Sequence, residues 1–413
     1  MVMEAHKKQC FVYKITFLYV LFFFSSNSFL YSDDSFLYNA DDVDFSAVDY
    51  VDMKKKSMKI LMVVSTFPKI HDICMLNQMT GLIDRGHDVH IYAFHQGDMV
   101  HVQQDVIDYD LMSKTTFVFP DSLDEYDIIV FQLGHKLFDV KNSHNFKGKV
   151  VVCLRGYDIT GFVQENPYAY DEYFESCDLF LPVCNAFKTI LEQIGCPSGK
   201  IIVHHSSIDC SKFVFQSKEL LDDETINIVS AGRFVEKKGF THSIRAIAQL
   251  IKKYPQIQYT IIGDGVLKRK YQRLIKKLRV ADHIKLDNWH THEEYIEILK
   301  NAHIFIVPSV TAENNDQEGI PNVLKEAMAM GLLVVATDHS GNTELIKHGV
   351  TGFLVPEGDS GAIAYKVDYI LRNPSKWNDI QLAAVKRIRQ EFDKEKENDK
   401  LERIFYKLVH KKI

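Results

Sequence analysis

The chain has 413 residues, of which 46% are hydrophobic and 25% charged, enough for two domains with sizeable cores. A net charge of −6 argues against a general nucleic-acid binder, while leaving room for a local basic patch. Seven cysteines include no Cys-x-x-Cys pair, so free thiols in a reducing compartment are the simplest reading.

Residues 1–57 read differently from the rest. Lys7, Lys8 and Lys14 precede an apolar run at 15–24, and Ser25-Ser26-Asn27-Ser28 follows. Basic, apolar, then small and polar is the pattern of a signal peptide, and the run is too short for a membrane span. The acidic stretch 33–52 and Lys54-Lys55-Lys56 are expected to form a disordered linker. The segment is either a leader or anchor, or the true start lies at Met53 or Met58.

From residue 58 strands and helices alternate. The run 59–65 is continuously apolar, as in a central parallel strand. Met75, Leu76, Met79, Leu82 and Ile83 then recur at helical spacing, Gly86 closes the helix, and 89–94 is the next strand. Strand, helix and strand within about 35 residues make a βαβ unit and imply a doubly wound sheet. No Gly-x-Gly-x-x-Gly follows the first strand, which speaks against a NAD-linked dehydrogenase. Further strands are expected at 126–131, ending in Gln132-Leu133-Gly134-His135, at 150–154, ending in Arg155-Gly156-Tyr157-Asp158, and at 178–183.

Ligands bind beyond such strand ends in open α/β sheets, which makes Arg155 and Asp158 candidate site residues. Arginine cannot serve as a neutral base, but it can grip a phosphate or carboxylate in a fork. The alternative is an Arg155–Asp158 pair that ties two loops together. Asp108-Tyr109-Asp110 has Asp-x-Asp spacing, but nothing puts it at a strand end. His204 and His205 are adjacent, so they point to opposite faces of an extended chain, and no metal site is expected there.

Residues 216–225 are polar enough for an interdomain link. The strand 226–230 opens into Ala231-Gly232-Arg233-Phe234-Val235-Glu236-Lys237-Lys238-Gly239, ahead of a helix with Ile244, Ile247, Ala248 and Ile251 on one face. Arg233 and Lys238 are two cations that can meet a pyrophosphate. The strand 259–262 leads into Gly263-Asp264-Gly265, placed before a helix for close backbone approach. A strand at 284–289 brings in Trp289, either as core or as a ligand contact.

The most informative stretch follows the strand 303–307. It reads Glu318-Gly319-Ile320-Pro321-Asn322-Val323-Leu324-Lys325-Glu326-Ala327-Met328-Ala329-Met330-Gly331 and precedes a strand at 332–337. Pro321 suits the first position of a helix and Gly331 its left-handed end. The free N–H groups of Asn322 and Val323, with the helix dipole, make a phosphate site. Glu318 stands before that site and Glu326 lies in the second turn, and carboxylates suit sugar hydroxyls. The plain alternative is an amphipathic helix with two solvated acids. A further helix is expected to start within 338–344, then a turn and strand at 349–355. An apolar stripe of Leu401, Ile404, Phe405 and Leu408 lies near the end.

The Glu-x7-Glu stretch resembles the donor-sugar motif of family 4 glycosyltransferases of the GT-B fold. Phe67-Pro68-Lys69-Ile70, Leu76-Asn77-Gln78 and the stretch from Gly81 to His87 resemble the opening of exopolysaccharide and colanic-acid-type members. The resemblance spans about residues 58–390. It implies an α/β fold of two Rossmann-like doubly wound domains facing a cleft: an acceptor-side domain at 58–218, a nucleotide-sugar domain at 219–390, and a helix at 391–413 returning to the first domain. It further implies retaining transfer of a hexose-type sugar from a UDP- or GDP-sugar to a saccharide or lipid-linked acceptor in surface polysaccharide synthesis, with no metal or other cofactor required. Arg233 and Lys238 would hold the diphosphate, Glu326 the ribose and Glu318 the sugar. Gly263, Asp264, Trp289 and the stretch Gly319, Ile320, Pro321, Asn322 and Val323 would complete the donor site. Arg155 stands where many relatives carry a histidine, so Asp158 becomes the better polar candidate beside it. Ser207 replaces a usual glycine. Two other readings stay open, a sugar-nucleotide epimerase of the same fold and a non-catalytic nucleotide-sugar sensor. Work on the cytoplasmic side, with peripheral membrane association, is the expected setting, because an exported enzyme would lose its nucleotide-sugar pool.

Overall fold

The computed structural model describes residues 56–69, 73–100, 102–140, 146–220 and 225–410. The leader-like segment lies outside them, except for its last two residues. Two six-stranded parallel sheets organise the chain. The first holds β1 (Lys59–Phe67), β2 (Asp88–Gln96), β3 (Thr115–Thr116), β4 (Ile128–Phe131), β5 (Lys149–Leu154) and β6 (Leu179–Pro182), in the order β3-β2-β1-β4-β5-β6. The second holds β7 (Ile226–Ala231), β8 (Ile257–Ile262), β9 (Ile284–Asp287), β10 (Ile304–Val307), β11 (Leu333–Thr337) and β12 (Phe353–Val355), in the order β12-β11-β10-β7-β8-β9. Strands such as Ile304–Val307 are buried throughout, because helices cover both faces, and this is why they read as unbroken apolar runs.

Each sheet reverses its order once, between β1 and β4 and between β7 and β10. Ile60 faces Val89 on one side and Ile128 on the other, and Ile304 pairs with both Leu333 and Ile228. At such a reversal the following helices leave to opposite faces, and a crevice opens beyond the strand ends.

Several boundaries shift from the sequence reading. β9 stops at Asp287, which leaves Trp289 on a loop and 37% exposed. Pro321 is not the first helical residue. Its ψ of 129° makes it the N-cap, and the helix runs Asn322–Ala329. Gly331 does turn left-handed, with φ of 86°. The expected 216–225 link is anchored where it is described: the Lys218 backbone N–H donates to Gln381 Oε1 at 2.9 Å and its ammonium reaches Leu299 O at 3.3 Å.

The chain crosses between the sheets twice, and the crossings run together. Ile208 N–H donates to Phe392 O, and Lys394 N–H to Ile208 O. The last helix, Lys394–His410, then lies on Ile73–Asp84 with Leu401, Ile404, Phe405 and Leu408 buried. Arg85 pins it there through Asp399 at 2.7 Å and Glu395 at 3.0 Å.

Candidate active site

The second reversal brings together loops about 80 residues apart in sequence. The loop after β7 carries Arg233, Lys237 and Lys238, and the loop after β10 carries Asp316 and Glu318. Val310 N–H donates to Lys237 O and closes one loop on the other. Lys238 Nζ lies 2.9 Å from Glu318 Oε2, Lys237 Nζ 3.3 Å from Glu318 Oε1, and Lys237 Nζ 2.9 Å from Asp316 Oδ1. Burial alone would raise the Glu318 pKa, but Lys238, Lys237 and Arg233 together hold it well below the usual carboxylate range. Burial likewise depresses Lys237, and Glu318 and Asp316 more than restore it. Arg233 is exposed, and it forms no ion pair with another described residue. The cluster therefore holds three cations against two carboxylates and keeps one cation open at its mouth.

A histidine fixes the acid from behind. Glu318 N–H donates to His339 Nε2 at 3.0 Å, so that nitrogen bears no proton and Nδ1–H must donate to the neighbouring Glu357 Oε1. Glu357 also accepts from Thr311 N–H at 2.8 Å. Lys237, His339 and Glu357 escaped the sequence reading. Each matters only through a partner distant in sequence, and the one local signal was the doubled lysine before Gly239.

The helix Asn322–Ala329 begins just beyond Glu318, and its first N–H groups have no acceptor within their own helix. Ile320 and Pro321 are buried behind it, and Asn322 and Val323 are half-buried. Glu326 is 3% exposed. Burial raises its pKa to about 7, against the pull of the Tyr295 hydroxyl and the Lys325 ammonium. At Gly263, whose φ is 147°, a Cβ would lie 2.0 Å from Gly232 O, so only glycine lets β8 end against the Arg233 loop. Asp264 accepts from Gly265 N–H and pairs with Lys268 at 3.4 Å, which shapes the turn.

The first sheet meets this cluster through the loop after β5. A Cβ on Gly319 would lie 2.6 Å from Val183 Cγ2, and one on Gly156 would lie 3.1 Å from Gln317 O. Gln317 N–H donates to Thr160 Oγ1 at 3.2 Å. Arg155, however, donates its guanidinium to Gln132 O and Gln78 Oε1, both at 3.0 Å, within the first lobe. The alternative Arg155–Asp158 contact runs through the backbone. The buried Asp158 carboxylate accepts from Arg155 N–H at 2.9 Å, Gly156 N–H at 2.8 Å and Gly134 N–H at 3.0 Å, which braces the loop. His204 and His205 turn to different partners, Gln78 and the Val183 carbonyl. No described group of His, Cys, Asp and Glu is arranged to hold a metal.

The fold is shared with solved structures. Anabaena HepE in complex with UDP superposes with a TM-score of 0.68 at 18% identity, over 84% of this chain and 99% of that one. Sucrose-phosphate synthase of Thermosynechococcus elongatus does so with a TM-score of 0.66 at 16% identity, over 85% and 99%. These neighbours and the paired parallel sheets define a two-lobed GT-B protein. The sequence model described as Glycosyl transferases group 1 matches residues 211–387. The amylovoran biosynthesis glycosyltransferase AmsK of Erwinia amylovora is 30% identical over 395 residues, covering 81% of this chain and 96% of its own. WcaL of Salmonella typhimurium, named for colanic acid biosynthesis, is 28% identical over 365 residues, covering 75% and 90%. The chain belongs to the group 1 glycosyl transferases and is an enzyme of that class.

Proposed function

We propose that this enzyme is a retaining family 4 glycosyltransferase of surface polysaccharide synthesis. It moves a hexose-type sugar from a UDP- or GDP-sugar to a glycan or lipid-linked saccharide. The observation that carries the reading is the cluster of Arg233, Lys237 and Lys238 with Glu318 at the mouth of a sheet reversal, next to a free helix start. Arg233 and the remaining N–H groups of Lys238 meet the diphosphate and offset the charge that grows as it departs. The Asn322 and Val323 N–H groups add to that field. Glu318, held ionised, has lone pairs beyond its two lysines for a sugar hydroxyl. Glu326 accepts from the ribose. The division into an acceptor lobe at 58–218, a donor lobe at 219–390 and a returning helix at 391–413 belongs to this reading. So does action on the cytoplasmic side of the membrane, with no metal required. The structural neighbour crystallised with UDP supports a uridine donor.

The test is a thermal-shift panel of UDP-, GDP- and ADP-sugars, followed by NMR of the product anomer. A bound donor raises the melting point by mass action. Retention in a product formed only with acceptor present is the expected result. Donor turnover without acceptor would point to the epimerase.

A further inference from the structure

The helix Lys268–Leu278 and its cap Arg279 carry seven of the chain's 49 cations within twelve residues and no acid. Tyr271 and Ile275 form its buried ridge. Counting about 100° per residue, Arg269, Lys270, Arg273, Lys276 and Lys277 fill the arc opposite that ridge, and all five are exposed. Arg245 from the neighbouring helix Phe240–Leu250 extends the field: with Lys270 it is one of the cations that hold down the His242 pKa, after burial. Val266, 87% exposed, stands at one end of the ridge and Leu278, 36% exposed, at the other.

A solvated helix face normally mixes signs, and this one opposes its own stability. Like charges meet at i,i+4 in Arg269/Arg273 and Arg273/Lys277, and at i,i+3 in Lys270/Arg273 and Arg273/Lys276. The first turn, where the helix dipole favours acids, holds three cations and none. Among the described residues, Lys268 alone of the seven pairs with an acid, Asp264 at 3.4 Å, and it also donates to Asn288 Oδ1. Arg269, Lys270, Arg273, Lys276, Lys277 and Arg279 form no ion pair with another described residue. The helix packs beside β9, the edge strand of its sheet. Five exposed cations spread along one helix face suit a broad anionic surface, and the net charge of −6 opposes general affinity for nucleic acid.

We infer that the ridge Arg269–Lys270–Arg273–Lys276–Lys277 docks the donor lobe on an anionic phospholipid surface. The attraction is electrostatic, because the apolar face of the helix is already buried in the protein. The inference names a surface for the peripheral membrane association expected from the sequence, and it rests on the proposed action at the cytoplasmic side of the membrane.

The test is co-sedimentation of the full chain with phosphatidylcholine vesicles containing phosphatidylglycerol, against phosphatidylcholine alone. It compares the wild type with a fivefold variant: Arg269→Gln, Lys270→Gln, Arg273→Gln, Lys276→Gln and Lys277→Gln. The wild type should partition onto the anionic vesicles at least about tenfold more than the variant. The difference should vanish near 0.5 M salt, and the variant should still bind UDP. Equal sedimentation of both proteins, no preference for the anionic lipid, or displacement by an RNA oligomer at lower concentration than by vesicles would each overturn the inference. Failure of the wild type to bind any nucleotide sugar would instead count against the proposed reaction and leave the vesicle result readable.

Discussion

Among single residues, Lys238 and Arg233 separate catalysis from stability. Both face the proposed diphosphate, but of the two only Lys238 forms an ion pair with Glu318. Its side chain and that of Glu318 retain 14% and 12% of their surface. Lys238→Ala should lower kcat about 10²- to 10³-fold and also cost about 1–2 kcal/mol of stability, since Glu318 loses its shorter ion pair while Lys237 keeps the other at 3.3 Å. Arg233→Ala should show the same loss of rate with stability changed by less than about 0.5 kcal/mol. Urea unfolding beside steady-state kinetics distinguishes the two.

Glu326 supplies a pH signature. Its carboxyl titrates at about 7, and a carboxylate that accepts ribose hydroxyls must be ionised. Affinity for UDP-glucose should therefore fall about tenfold per pH unit below 7 and level off above it. Glu326→Gln should bind more weakly and flatten the profile, and calorimetry across pH 5.5–8.5, about one and a half units either side of 7, checks both. The Glu-x7-Glu spacing was legible in the linear chain because loop and helix start are local. Lys238 was also singled out, but its pairing with Glu318, the part played by Lys237 and the His339–Glu357 support were not legible, because they arise through the sheet order.

Elements set the geometry of the interface. The loop holding Glu318 leans on the first lobe at Gly319, where a methyl group would sit 2.6 Å from Val183 and 3.2 Å from Phe187. Gly319→Ala should cost about 1–3 kcal/mol by overpacking and slow turnover by moving Glu318. Val183→Ala in the same chain should restore part of both, a coupling that a double-mutant cycle measures. Strand runs such as 226–230 and 303–307 appeared within a residue or two of their true ends, since a doubly covered strand must be apolar on both faces. Element ends were less legible. Pro321 caps its helix rather than opening it, and Trp289 lies past its strand, because those ends depend on loops arriving from elsewhere.

Across the whole molecule, a buried polar seam joins the two lobes. His204 Nε2 faces Glu397 O at 3.0 Å and Nδ1 faces Gln78 at 3.3 Å. Lys325 reaches into the same seam to donate to Ser206 Oγ at 2.7 Å. Burial drives the His204 pKa down to about 3 and that of His205 to about 4. As pH falls below about 6.5, the unfolded chain gains protons that the folded one refuses, so stability declines until the folded values are reached. Glu326 acts in the opposite sense between about 7 and its ordinary range, because there the folded chain holds the extra proton. Comparison of variants isolates one group: His204→Gln should lose stability less steeply between pH 6 and 4, by about 1.4 kcal/mol per pH unit. Equal slopes for variant and wild type in urea midpoints would show that this imidazole already titrates in the folded state.

The amino-acid order by itself determined the alternation of strands and helices and the helix start after Glu318, which follow from periodicity and capping acting over a few residues. The pairing of two Rossmann-like sheets was legible only through the resemblance to a known family. Only the tertiary structure decided that Lys237 and Lys238 share one carboxylate, that His339 accepts from the backbone N–H of the same residue, and that the Arg155 guanidinium donates to Gln132 and Gln78. Each of those outcomes depends on which loops a sheet reversal places side by side. Burial then fixes the charge states, and neither quantity is written in any local stretch of the chain.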